Sequence, residues 1–223
     1  MIAGGVLYTS WVLQLLLPSS LSPWTSFASE LAASGQPHAW VYRCGDLAAG
    51  SLFVLAGLAG LRQRPGAGWR RTGILWLVVV FGLATVIDAL CPMSCVTTID
   101  AACSARELAG DVPLTHLVHN ATSAVGGAAF WGVVLLAAWR PGRSRMAWLL
   151  VVLGAAWIVA TIWTLLAQVP SLAPLLLGLA QRVELMLAAL WLFAYGVGWL
   201  RGHHTAPGGS SPLVTAAAGI PSA

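Results

Sequence analysis

The chain has 223 residues, of which 58% are hydrophobic and only 8% are charged, and its mean hydropathy is +0.82. Because a soluble domain carries about 25% charged residues, this composition excludes an ordinary soluble protein. The 11 basic residues are all arginine. Chemistry that depends on a lysine, such as a retinal Schiff base or the phosphate-binding lysine of a P-loop, is therefore excluded as well.

Apolar segments that are long enough to cross a bilayer occupy most of the chain. A hydrocarbon core of about 30 Å requires roughly 20 mostly apolar residues in a helix. The sequence therefore predicts an all-α membrane domain over residues 1–201 with six transmembrane helices, and a disordered cytoplasmic tail over residues 202–223. The predicted spans are Ile2–Leu17, Tyr42–Leu61, Thr72–Leu90, Leu114–Trp139, Met146–Ala167 and Leu175–Leu200.

The arginines are concentrated on one side of this predicted topology. Eight of them lie in the loops after the second and fourth spans and after the sixth span, where no acidic residue occurs. By the positive-inside rule, these loops and both termini are expected to be cytoplasmic. The basic pI near 9.2 then reflects membrane topology, so we expect membrane lipids as partners and no nucleic acid. The eight residues are Arg62, Arg64, Arg70, Arg71, Arg140, Arg143, Arg145 and Arg201.

All four cysteines fall on the predicted extracytoplasmic side. Cys44 lies near the outer end of the second span, and Cys91, Cys95 and Cys103 lie in the loop after the third span. An even number of cysteines in an oxidising compartment favours disulfides, although the spacing leaves their pairing open. We expect a disulfide-stapled loop over the mouth of the bundle. A thiol–disulfide relay is the alternative, for which the usual Cys-x-x-Cys signature is absent.

Ionisable residues within the predicted spans lie at nearly one level, in the extracytoplasmic half. Such residues are costly in a membrane and mark functional sites. The outer loop over residues 18–40 adds a serine and a glutamate that could lie over the same level. The candidate site residues are Ser29, Glu30, Arg43, Asp46, Asp88, His116, His119, Ser123, Arg182 and Glu184.

Two kinds of catalytic chemistry fit these residue types. His116 and His119 with Asp46, or with Asp88, could bind zinc and leave a fourth position for water, which is the arrangement of a catalytic zinc site. Without a metal, Asp46 or Asp88 could orient a histidine as a general base toward Ser29, Ser123 or a water molecule.

A binding role and a structural role are also open. Arg43 and Arg182 could clamp a phosphate or carboxylate, because the guanidinium group matches both, and Glu30, Ser123 and Glu184 would complete the ligand-binding set. In the structural alternative, the charged groups neutralise one another within the bundle, with Arg43 paired to Asp46.

Short motifs along the chain resemble a known family. Residues 26–37, Asp88 shortly before Cys91-Pro92, and His116 with His119 are similar to the bacterial membrane proteins catalogued as domain of unknown function 998. The resemblance covers about residues 5–200 and implies six spans, a serine-containing first outer loop and histidines in the fourth span. A looser similarity to the ceramidase and adiponectin-receptor superfamily implies a zinc-dependent membrane hydrolase, although those proteins have seven spans.

The sequence thus predicts a polar pocket in the extracytoplasmic half of the bundle that binds a lipid or small amphiphile, with hydrolysis of that ligand as an open extension. The alternatives are an accessory or scaffold protein whose polar network is structural, and a thiol–disulfide exchanger. A channel or pump is disfavoured, because the inner halves of the second to sixth spans lack ionisable residues.

Overall fold

The structure, a computed structural model, describes residues 1–63, 68–139, 144–169 and 176–204, with side chains described up to residue 200. Helices and connecting segments without strands make up these ranges. Five of the helices are long and apolar enough to cross a membrane: α2, α3, α5, α6 and α7. The helices are α1 (Ile2–Leu7), α2 (Ala39–Gln63), α3 (Trp69–Leu90), α4 (Ala101–Leu108), α5 (Leu114–Ala138), α6 (Arg145–Ala167) and α7 (Leu177–His204), with 3-10 helices at Ser10–Leu15 and Ser29–Ala32.

The predicted second to sixth spans are found as α2, α3, α5, α6 and α7. Their ends follow the composition closely, because long apolar runs without proline fix where a membrane helix can extend. Helix α7 continues three residues past Arg201, and the rest of the predicted tail, residues 205–223, lies outside the described residues.

The first predicted span, Ile2–Leu17, is not confirmed as a transmembrane helix, since its apolar helical stretch, Ile2–Leu15, is shorter than the five helices of spanning length. Helix α1 ends at Leu7, and the chain resumes as a 3-10 helix at Ser10. The Thr9 hydroxyl donates a hydrogen bond to the carbonyl oxygen of Val6 at 2.7 Å, which competes with continuation of the helix. This broken segment packs against α2 and α7. The six-span topology is therefore not confirmed, and five helices of spanning length are found in the described ranges.

Glycines allow α2 and α3 to pack backbone against backbone. A Cβ atom added to Gly50 would lie 2.7 Å from the carbonyl oxygen of Gly82, and one added to Gly82 would lie 2.7 Å from the carbonyl oxygen of Gly50. Small residues at such a crossing are typical of membrane helix pairs, where close van der Waals contact is the main source of association.

An aromatic core fills the centre of the bundle. The Phe130 ring lies 5.3 Å from that of Phe81, 4.7 Å from that of Trp157 and 5.7 Å from that of Trp191, measured between ring centroids. These distances lie in the range of favourable aromatic pairs. The core joins α3, α5, α6 and α7 and forms the floor beneath the polar groups described next.

One end of the bundle is covered by residues 18–38 and 91–113, which we call the cap. The two segments are joined where the backbone amide of Ser34 donates to the carbonyl oxygen of Met93 at 2.8 Å. A disulfide links Cys95 and Cys103 within the second segment, while Cys44 and Cys91 are free thiols. The prediction of a disulfide in this loop is confirmed for one pair only, and the other two cysteines do not form a second bridge.

Candidate functional site

A polar cavity of about 170 Å³ lies between the cap and the aromatic core. Its acidic lining residues are Asp46 from α2, Asp88 from α3 and Glu184 from α7. None of the described lining residues is an arginine or a histidine. The cavity thus concentrates potential negative charge and brings together three of the acidic residues that the sequence singled out.

The carboxylate of Asp88 is held by α5. One of its oxygens accepts hydrogen bonds from the hydroxyls of Thr122 at 2.7 Å and Ser123 at 3.1 Å, and it lies 3.3 Å from Nδ1 of His119. Ser123 lines the cavity, whereas His119 is buried behind Asp88 and is not among the lining residues. The predicted aspartate–histidine pair therefore exists, with its carboxylate and not its imidazole facing the cavity.

Asp46 differs from the other two carboxylates of the cavity in having no hydrogen bond and no ion pair within the described part of the chain. Glu184, by contrast, accepts a hydrogen bond from the Thr161 hydroxyl at 2.9 Å. The predicted ion pair between Arg43 and Asp46 is absent, because Nε of Arg43 instead donates to the carbonyl oxygen of Ala32 in the cap at 2.7 Å. Asp46 is therefore left to face the cavity.

Two aromatic donors in the cavity wall also lack partners. The Tyr42 side chain is only 3% exposed, and its hydroxyl has no hydrogen-bond partner among the described residues. The indole nitrogen of Trp11 is buried and likewise unpartnered there. Both side chains line the cavity. Since burying a donor without an acceptor costs roughly 1–3 kcal/mol, these groups call for an acceptor inside the cavity, either a ligand or water.

Glu30 belongs to the cap and not to the cavity. Its side chain is 0% exposed. One oxygen accepts from the Thr97 hydroxyl at 3.1 Å and from the Thr98 amide at 2.9 Å, while the other accepts from the Phe27 amide at 3.1 Å and from the Thr98 hydroxyl. With four donors, the carboxylate is saturated. The predicted ligand-binding role of Glu30 is not supported, because its oxygens join the two segments of the cap.

Arg182 also holds the cap in place. It is 5% exposed, and its Nη1 donates to the carbonyl oxygens of Pro23, Ser26 and Gly178 at 3.0, 2.8 and 2.9 Å. Its Nη2 donates to Oε1 of Gln14 at 2.6 Å. The predicted clamp on a phosphate or carboxylate is thus not formed by Arg182, since its two terminal nitrogens already donate to four protein oxygens and it does not line the cavity.

The two histidines turn toward different acids. His116 is fully buried, and its Nδ1 accepts from the Ser94 amide at 3.3 Å, while its Nε2 lies 3.5 Å from a carboxylate oxygen of Glu107. His119 faces Asp88 instead. Among the described residues, no group of three or more His, Cys, Asp or Glu side chains could hold a metal ion. The predicted zinc set of His116, His119 and Asp46 is therefore not assembled.

Four aromatic residues that the sequence did not single out for the site line the cavity. Aromatic residues near the ends of predicted spans are expected in the interfacial belt, so residue type alone does not show that they line a cavity. Ser29, which was predicted to lie over the polar cluster, does line the cavity. The four aromatic residues are Tyr8, Trp11, Tyr42 and Trp157.

Comparisons with known proteins place the chain in a family without adding a function. No curated protein and no solved structure matches it, and the similarity to the ceramidase and adiponectin-receptor superfamily is not shown. A family model described as "Protein of unknown function (DUF998)" matches residues 1–198. Because this match covers most of the sequence, the chain belongs to the DUF998 family of membrane proteins.

Proposed function

We propose that this membrane protein binds a small organic cation in the polar cavity, specifically an ammonium group that carries a neighbouring oxygen. The observation that carries the proposal is Asp46, a cavity-lining carboxylate without a hydrogen bond or ion pair in the described part of the chain. A charge in such a position is costly unless a counter-charge occupies the cavity. The unpartnered hydroxyl of Tyr42 and indole N–H of Trp11 would donate hydrogen bonds to the oxygen of the same ligand.

The lining favours a cation over the phosphate or carboxylate that we expected from the arginines. Three acidic side chains and none of the arginines lie among its described residues. The aromatic wall favours an organic cation over a metal ion, because faces of Trp and Tyr attract ammonium groups. The spacing of the carboxylates supports the same choice, since no three acidic, histidine or cysteine side chains in the described ranges are grouped closely enough for a metal.

The size of the cavity limits the ligand to a head group or a small amine. An apolar cavity of about 150 Å³ holds one benzene molecule, and the polar cavity measures about 170 Å³. A complete lipid does not fit in this cavity. Of the lipid or amphiphile expected from the sequence, only the cationic head group would enter. Hydrolysis is not part of the proposal, because neither His116 nor His119 reaches the cavity lining.

We further propose that the cavity opens on the extracytoplasmic side. The arginines Arg62, Arg70, Arg71 and Arg145 lie near the helix ends opposite the cap, at the ends of α2, α3 and α6. The positive-inside rule assigns that end to the cytoplasm. The cap, its disulfide and the cavity would then face the outside, where a disulfide persists.

The proposal is tested by calorimetric titration of the purified protein in dodecyl maltoside, a detergent without an ammonium group. Choline is the probe, and dimethylbutanol, in which carbon replaces the ammonium nitrogen, is its neutral isostere. We expect choline to bind, the isostere to bind at least about tenfold more weakly, and Asp46→Asn to weaken choline binding by at least about tenfold, since a lost charged contact is worth about 1.4 kcal/mol or more.

Asp111→Asn is the matched control, because Asp111 is an exposed acid outside the cavity. It should bind choline as the parent protein does. Equal binding of choline and its isostere, or an Asp46→Asn variant with unchanged affinity, would overturn the proposal.

A further inference from the structure

A second, larger depression lies on the outer surface of the bundle beside the polar cavity. This lateral groove has a volume of about 530 Å³ and runs between the broken N-terminal segment and the first part of α2. Its walls are mainly apolar, and several of the side chains are exposed, including Leu7, Leu13 and Trp40. In a membrane these side chains would contact acyl chains. The lining residues that matter below are Leu7, Ser10, Leu13, Trp40, Val41 and Cys44.

The lateral groove and the polar cavity meet at Ser10, whose side chain lines both. The contact is close because position 45 is glycine. A Cβ atom added to Gly45 would lie 2.6 Å from Cβ of Ser10. The interruption of the first helix after Leu7 places Ser10 at this junction. The polar cavity and the lateral groove are thus joined at the small side chain of Ser10.

We infer that the ligand is a single-chain ammonium amphiphile from the bilayer, whose head occupies the polar cavity and whose alkyl chain lies in the lateral groove. The inference rests on the proposed function and names the ligand class of the same site. Carboxylates in the cavity complement the ammonium head, and apolar walls in the groove complement the chain. A small ammonium compound without a long alkyl chain, such as choline, would fill the cavity and leave the groove to lipid or detergent.

Cys44 provides a way to obstruct the groove without altering the cavity. Its thiol is free and exposed, and it lines the groove but not the cavity. In a Cys91→Ser background, Cys44 is the remaining free thiol and can be modified with cyclohexyl maleimide. The binding of choline and of dodecyltrimethylammonium is then measured on modified and unmodified protein in dodecyl maltoside.

We expect modification of Cys44 to weaken binding of dodecyltrimethylammonium by about tenfold or more, which corresponds to displacing about two methylene groups from the groove. The affinity for choline should change by less than about twofold, because the head-group site is untouched. A diazirine on the alkyl chain of the amphiphile should label groove residues such as Leu13 and Val41, and modification of Cys44 should suppress this labelling.

The control is the same maleimide on Leu149→Cys in a background with both free cysteines replaced by serine. Leu149 is an exposed apolar residue on α6 and lines neither the cavity nor the groove. Modification there should leave both affinities unchanged. If choline binds but the amphiphile is indifferent to modification of Cys44 or is labelled elsewhere, the inference fails alone. If choline does not bind at all, the proposed function fails and the inference falls with it.

Discussion

The capped end of the bundle contains two groups of polar residues that differ in how fully their atoms are used. In the cap, Glu30 accepts four hydrogen bonds, and the two terminal nitrogens of Arg182 donate four, although its buried Nε has no partner among the described residues. In the cavity, Asp46 has neither a hydrogen bond nor an ion pair within the described ranges, and the Tyr42 hydroxyl is unpartnered. Glu30, Arg182 and Asp46 are all candidates on residue type alone. Their hydrogen-bond partners hold Glu30 and Arg182 in the cap, whereas Asp46 has none and faces the cavity.

The comparison teaches that burial of an ionisable group in a membrane protein is not itself evidence of a site. Glu30 is the more deeply buried carboxylate, yet all its acceptor capacity is taken by Phe27, Thr97 and Thr98. Asp46 is only partly buried, yet its acceptor capacity is free. Unused hydrogen-bonding capacity that faces a cavity is the feature that a ligand can exploit.

The largest expected effect on stability comes from removing the Glu30 carboxylate of the cap. Glu30→Ala leaves two backbone amides and two hydroxyls of the cap without an acceptor, and the loss of unfolding free energy should be about 3 kcal/mol or more. Chemical denaturation in detergent, followed by tryptophan fluorescence, measures this loss. Asp111→Ala, at an exposed acid of the same cap, should shift the midpoint little. Similar midpoints for the two variants would show that Glu30 does not hold the cap.

A smaller loss should follow from opening the disulfide of the cap. Cys95 and Cys103 are separated by 8 residues, and the loop-entropy relation gives a stabilisation of about 2.5 kcal/mol for so short a loop. Cys95→Ser should lower the unfolding free energy by this amount and make the remaining stability insensitive to dithiothreitol. Cys44→Ser, at a free thiol, should retain the sensitivity of the parent. Unchanged stability of the Cys95→Ser variant would contradict a stapling role.

The smallest effect, of opposite sign, is expected in the cavity. Asp46→Asn removes an uncompensated, partly buried charge, so the unfolding free energy of the unliganded protein should be unchanged or higher by about 0.5–1 kcal/mol. The same denaturation assay checks this, with no amine in the buffer. A substantial loss of stability would mean that Asp46 has a structural partner, and it would remove the contrast with Glu30.

Composition was sufficient to predict the five long helices but not the state of the first apolar segment. An apolar run such as Thr72–Leu90 must form a helix in the bilayer, because its backbone N–H and C=O groups have to be hydrogen-bonded within the segment. The first segment is different, since Gln14 binds Arg182 and the hydroxyl of Thr9 competes for the helical carbonyl of Val6. Both effects depend on single polar atoms, to which the mean hydropathy of a segment is insensitive.

The level of the candidate residues along the helices and their residue types could be predicted from the sequence. Which of these residues lie together in the cavity could not. Asp46, Asp88 and Glu184, which were expected at one level on three helices, line the same cavity. The partners of Arg43 and Arg182 are backbone carbonyl oxygens of the cap, and every residue offers such a carbonyl, so the sequence carries no signal for them. For the same reason, the two arginines were expected to bind a ligand when they in fact bind the protein.

The hydrogen bonds of Arg182 join segments that are far apart in the sequence. Its partners Gln14 and Ser26 lie 168 and 156 positions earlier in the sequence, and Gly178 lets the early backbone approach so closely that an added Cβ would lie 2.5 Å from the Ser26 carbonyl oxygen. During synthesis, the first segment of the cap emerges long before α7, the helix that secures it. The polar cavity is therefore completed only after α7, which carries Arg182 and Glu184, has been inserted.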